Sequence, residues 1–232
     1  MSRGITVYLE FKQTEQELYS AKFDILENGD IKVGQASIQG WIGGIDGEWN
    51  IEYRDRHLFI GSIADKELKK AHPEVYSTWR PVAVKERDRE GKVVGYAYQE
   101  ILNQGLLKNL FGNMKSRMWV QLDGIAYEMF GVDPSFEENG QMCFYDQNNI
   151  LVAIGETPHD VYDGMYNYGI IASDEKYVLP VIIQITQAYI AAGFNPGEKV
   201  KKGHEVNSVL TRNKELLAKY DPTFEQQYGK NK

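Results

Sequence analysis

Apolar and polar residues alternate through most of this chain in runs of six to eleven residues, broken by turn-forming residues. A period of two marks strands with one buried face. The pattern predicts twelve strands. They are Ile5–Gln13, Leu18–Leu26, Ile31–Gly40, Glu48–Asp55, His57–Ala64, Arg80–Asp88, Lys92–Leu102, Ser116–Asp123, Ile125–Val132, Met142–Gln147, Asn149–Thr157 and Met165–Ala172. The breaks are chemically suited to turns. Glu27-Asn28-Gly29-Asp30 carries Asn-Gly, a strong hairpin signal. Asp88-Arg89-Glu90-Gly91-Lys92, Leu122-Asp123-Gly124-Ile125 and Asp146-Gln147-Asn148-Asn149 supply residues that tolerate a positive φ.

Three of these hairpins look alike: ILENGDIKVGQA from Ile25, KERDREGKVVGYA from Lys85 and FYDQNNILVAIGE from Phe144. Each is a strand, an acidic or Asn/Gly turn and a returning apolar strand with a glycine near its middle. An antiparallel meander has the same look, so repeat and meander both stand. The unequal spacing excludes a solenoid or propeller period.

After Ala172 the period changes. Ser173-Asp174-Glu175 offers an N-cap and an acidic first turn. An apolar helix over about 175–193 follows, closed by Gly193 with Pro196 just beyond. It is apolar nearly all round, yet Gln184, Thr186 and Gln187 interrupt it and it is too short for a membrane span of about 20 residues. Such a helix must lose water on every side. A sheet closed around it does that and also removes exposed edges. The expected fold is therefore mainly β: a closed antiparallel barrel of twelve strands around a central hydrophobic helix. Residues 1–196 form that domain. Residues 197–232 form a polar extension, helical in part over Asn207–Tyr220.

Three stretches carry a family resemblance: FDILENGDIKVGQASIQG (Phe23–Gly40), VQLDGIAYEMFGV (Val120–Val132) and the long run from Met142 to Phe194. In order and character they resemble the tubby C-terminal-domain-like superfamily, which includes LURP-one-related proteins and phospholipid scramblases, and most of all its bacterial branch. The resemblance covers roughly residues 5–194. It implies a twelve-stranded barrel around a central helix. In the tubby branch, cationic side chains on the barrel bind phosphoinositide head groups, which makes an anionic lipid head group the expected ligand. Two departures stand out: the chain continues for 38 residues (195–232) beyond the helix, and no scramblase-type calcium motif is present.

Composition then narrows the chemistry. The chain has 33 acidic against 26 basic residues, a net charge of −7, which argues against nucleic acid as a partner. One cysteine, Cys143, excludes an internal disulfide and a multi-cysteine metal site. The first residues lack the apolar run of a signal peptide, and a cytoplasmic protein, peripheral to a membrane, is the expectation. No nucleophile elbow, P-loop, H-E-x-x-H or calcium-loop register occurs, so no catalytic residue, cofactor or metal ligand is assigned. His57, His72, His159 and His204 stand far apart. The acidic pairs Asp46/Glu48, Glu137/Glu138 and Asp160/Asp163 read as turn residues.

The basic residues are more suggestive. Arg80, Lys85, Arg87, Arg89 and Lys92 lie on or near one hairpin and are the candidate anion or lipid contacts. Lys66, Lys69 and Lys70 form a second cluster. The segment Gln104–Met114, if helical, groups Leu106, Leu107, Leu110 and Phe111 as a candidate interface, or as a plug of the barrel end. The expected function is a non-enzymatic binding module at anionic lipid. The alternative is a soluble module that binds a protein partner through the extension or the 104–114 segment. An enzyme with a site at the barrel mouth is the third reading. The sequence leaves the oligomeric state open.

Overall fold

The computed structural model describes residues 6–17, 19–40, 47–73, 78–101, 116–132, 140–157 and 165–191, together with Asp221, Thr223, Phe224 and Gln227. Twelve strands run β1 (Val7–Glu17), β2 (Ser20–Glu27), β3 (Ile31–Gln39), β4 (Glu48–Tyr53), β5 (Arg56–Ser62), β6 (Thr78–Glu86), β7 (Val93–Ile101), β8 (Ser116–Leu122), β9 (Ile125–Val132), β10 (Gly140–Tyr145), β11 (Leu151–Thr157) and β12 (Asn167–Ala172). Each pairs antiparallel with its sequence neighbours, and β1 pairs with β12 to close a barrel. Every predicted strand is present. The largest displacement is at the end of β1, at Glu17 rather than Gln13, where a register shift between Gln13 and Glu15 breaks the alternation.

The barrel is filled. Alternate residues point inward: Val7, Leu9 and Phe11 on β1, Trp49, Ile51 and Tyr53 on β4, Tyr168, Ile170 and Ala172 on β12 are all buried. The helix α2 (Val178–Ala191) occupies the lumen. Every side chain described on it is buried, including Ile182 and Ile183. Asp174 accepts from the Lys176 N–H and starts a single 3-10 turn, Glu175–Tyr177, that leads into the helix. Pro180 falls in the first turn of α2, where its missing N–H is not needed. At the far end of α2 the Tyr189 ring meets Phe23, Trp49 and Tyr166 edge-on, with centroids 5.4–5.6 Å apart.

A second helix, α1 (Asp65–Ala71), lies on the outer wall. The pattern of the chain does not foretell it, because only Leu68 marks a buried face, packed with Tyr98. The Lys69 and Lys70 cluster belongs to its last turn, where cations offset the helix dipole, and Lys69 pairs with Asp65 at 3.0 Å.

The two ends of the barrel differ. At one end all connections between the described strands are short, at 28–30, 54–55, 87–92, 123–124 and 146–150, and α2 enters there. The other end carries the longer links, including 63–77 with α1 and 102–115.

The likeness of the three hairpins has a structural counterpart. They are β2–β3, β6–β7 and β10–β11, four strands apart around the barrel, and each has a register shift beside its turn. The unpaired residue is Val33, Val94 and Val152 in turn. Its carbonyl accepts the N–H of Arg54, Asp123 and Ser173 respectively, at 2.8–3.0 Å. The barrel is thus three four-strand units. The glycines after the first two bulges admit a close strand: a Cβ on Gly34 would lie 2.3 Å from the Glu52 carbonyl, and on Gly95 2.0 Å from that of Gln121.

Candidate functional site: the tight-turn rim

The short-turn end gathers most of the unusual features of the described surface. Among the described residues, all five non-glycine residues with positive φ are on it: Asn28, Arg54, Arg87, Asp123 and Asn149. Asn and Asp tolerate this conformation readily; arginine does so only when its surroundings hold it. Arg87 is held by its N–H to the His57 carbonyl at 2.9 Å, and Arg54 by its N–H to the Val33 carbonyl.

Ion pairs tie the turns together across the mouth. Arg54 donates from Nε to Glu175 at 2.7 Å and reaches Glu27 at 3.5 Å. The Tyr53 hydroxyl donates to the same Glu175 carboxylate. Burial first, then Glu175, raises the Tyr53 pKa well above the usual phenol value. Arg56 pairs with Asp123 at 3.0 Å, joining the β4–β5 turn to the β8–β9 turn. Asp146 braces the β10–β11 turn by accepting the N–H groups of Asn148 and Ile150, both at 2.9 Å. The rim is a stiff ring of turns clamped onto the lead-in of the core helix.

On this ring stand four exposed aliphatic side chains. Ile31, Val93, Ile125 and Ile150 are 38–59% exposed. They are four of the six exposed large apolar residues among those described; Tyr19 and Met165 lie at the other end. None is singled out by the sequence reading. The signal is present all the same: each is the first apolar residue after a polar turn.

The five basic residues expected to act together are divided. Lys85 points its ammonium at the Arg89 carbonyl. Arg89 leans back along the outer wall and holds both oxygens of Glu48, at the far end of β4, at 2.6 Å. Arg87 and Lys92 are exposed on the rim with no ion pair among the described residues, flanked by Glu86, Asp88 and Glu90. Arg80 is the third residue of β6, toward the opposite end of the barrel and roughly 20 Å along the strand from Arg87, and its side chain lies outside the described residues. So do Leu106, Leu107, Leu110 and Phe111, the predicted helix Asn207–Tyr220, His159, His204, and both acidic pairs after residue 132.

Among the described residues, two depressions mark the wall. One, about 510 Å³, is lined by Asp55, Arg56, His57, Glu86 and Arg87 and opens on the rim. The other, about 560 Å³, lies across β1–β4, with Lys22 and Lys32 already paired to Glu15 and Asp24 at 2.7 Å. Among the described residues no three metal-ligating side chains converge, and no helix is long and apolar enough to cross a membrane. No protein-family model matches the chain, and neither a curated protein nor a solved structure matches it.

Proposed function

We propose that this chain is a non-enzymatic binding module that touches a membrane surface with its tight-turn rim. The observation that carries the reading is the ring of exposed Ile31, Val93, Ile125 and Ile150 on a rim that also presents Arg87 and Lys92. The lumen is occupied by α2, so a ligand meets the barrel from outside. Aliphatic side chains at rigid turn tips can enter the head-group layer without refolding. Half-burying each is worth about 1 kcal/mol. Arg87 and Lys92 add about 1 kcal/mol each against phosphate-bearing head groups. Glu86, Asp88 and Glu90 oppose that attraction, so the aliphatics carry the larger share. The total corresponds to weak, sub-millimolar, peripheral binding.

Flotation of the protein with neutral and with anionic phospholipid vesicles, at low and physiological salt, tests this. The wild type floats with both, more strongly with anionic vesicles at low salt. Ile31→Ser with Ile150→Ser abolishes flotation at unchanged melting temperature. Arg87→Ala with Lys92→Ala removes only the salt-sensitive part. Absence of flotation with any vesicle sinks the membrane reading and leaves a rim for a protein partner.

A further inference from the structure

The outer wall opposite the basic hairpin carries a row of apolar residues that takes no part in the rim. Phe130, Cys143, Ile154, Ile171 and Tyr8 stand in register on β9, β10, β11, β12 and β1. Their chain neighbours Met129, Met142, Ala153, Ile170 and Val7 face the lumen, so the row faces outward. It spans four inter-strand steps, roughly 19 Å. Tyr145 stacks on Phe130 with centroids 5.1 Å apart, and Leu151 extends the patch. Bare on a barrel wall, this would be an apolar patch of the size that marks an interaction site.

The row is not bare. Phe130, Cys143, Tyr145, Ile154 and Ile171 are no more than 2% exposed, and Phe224 joins their cluster at 3%. Phe224 reaches it from a helical turn. The Asp221 carboxylate accepts the Thr223 N–H at 2.9 Å and its hydroxyl at 2.6 Å, capping the turn. The Thr223 carbonyl accepts the Gln227 N–H at 2.9 Å. Residues 192–220 link this turn to α2. The polar extension thus sets one large aromatic side chain onto the wall.

We propose that this outer row is a docking face for a short, Asp-capped helical turn with an aromatic anchor. Its occupant is residues 221–227 of the same chain, acting as a tethered and releasable ligand with Phe224 as the anchor. The sheet separates the face from the lumen core, so the turn can leave without opening the barrel. A long tether holds it at an effective concentration in the millimolar range, which a partner segment of the same chemistry must outcompete.

Cys143, the only cysteine, lies at the centre of the row and reports on the cover. The full-length protein is labelled with a small thiol reagent under native conditions. In the wild type, labelling is slow and responds to urea far less steeply than global unfolding does. Phe224→Ala accelerates it at least tenfold with the urea midpoint of the barrel near the wild-type value. A synthetic peptide of residues 219–232 restores slow labelling to that variant; the same peptide with alanine for phenylalanine does not. Three results overturn the proposal: wild-type labelling that follows global unfolding in its urea dependence, Phe224→Ala labelled at the wild-type rate, or no protection by the peptide. The first requires no variant, so a Phe224→Ala protein that fails to fold leaves the proposal open to refutation.

Discussion

The fit between helix and barrel can be tested at Gly155. This residue lies on β11 opposite Met142, faces the lumen, and has an ordinary negative φ, so alanine is conformationally acceptable there. A Cβ at this position would lie 2.9 Å from Cγ1 of Val181 and 3.0 Å from Cε of Met142. The methionine end can swing away; the valine is branched at Cβ and fixed on α2. Gly155→Ala therefore strains the helix against the wall at a cost of about 1–3 kcal/mol. The reduced freedom of the unfolded chain offsets about 0.4–1 kcal/mol of this. A net loss of about 1–2 kcal/mol is expected. Val181→Ala alone deletes two buried methyl groups and costs about 2 kcal/mol. Together the changes compensate, because the new methyl occupies the space that Val181 vacates. The double variant should be more stable than the sum of the single losses predicts by at least about 1 kcal/mol, well outside the additivity of independent sites. Urea unfolding followed by far-UV circular dichroism measures all four proteins. Gly34→Ala is the control, since its Cβ would meet the Glu52 carbonyl rather than the helix, and Val181→Ala should not rescue it. Additive losses in the Gly155/Val181 pair would refute the close approach of α2 to β11.

Two further outcomes are expected. Ile182→Asp places an unpaired carboxyl at a fully buried lumen position, costing about 5 kcal/mol or more, and should leave no cooperative melting transition; a soluble variant that melts like the wild type would show that α2 is not the core. Stability should fall above pH 10, because burial raises the pKa of Tyr127 and Tyr189 to about 12 and raises those of Tyr53, Tyr166 and Tyr168 too. The unfolded chain ionises these phenols near their ordinary value of 10 while the folded chain holds them neutral, so their contribution is complete below pH 10 and is lost as pH rises toward the folded values, by about 1.4 kcal/mol per unit and group. Urea midpoints measured between pH 9 and 12 check this, and a flat profile would mean that these rings are not sealed in the barrel.

The strands and the central helix were legible because one physical fact writes both patterns. A sheet wet on one face alternates, and a helix wet on none does not. Once twelve alternating runs precede one all-round apolar helix, closure is the arrangement that hides the helix. The helix α1 escaped for the converse reason: with Leu68 as its only buried side chain it has no period to read. Arg80 and Arg87 stand roughly 20 Å apart along the strand, because a nine-residue strand carries its ends to opposite rims, a distance that proximity in sequence conceals. Phe224 was hidden by composition, since one aromatic residue in a polar tail leaves the average unchanged while deciding where the tail sits.

The rim shows how topology makes a surface that no local window contains. Ile31 and Ile150 are 119 positions apart in the chain, yet both follow the turn of a bulged hairpin and so stand on one ring. The three-unit construction makes this recurrence systematic. In each unit the bulge adds one residue to the returning strand, and its free carbonyl ties down the chain that leaves the next strand. That bond stiffens the rim and fixes the direction of the turn. Ile31 and Val93, which start their returning strands, and Ile150, which ends its turn, all come within two residues of the bulge and are held away from the lumen. Aliphatic residues at Ile31, Val93 and Ile150 contribute nothing to the interior core. Polar residues there would satisfy the hairpins equally well, so the stability of the fold does not account for them. The proposed contact with a membrane surface would account for them, and the double serine variant of Ile31 and Ile150 separates the two roles by leaving the first untouched while removing the second.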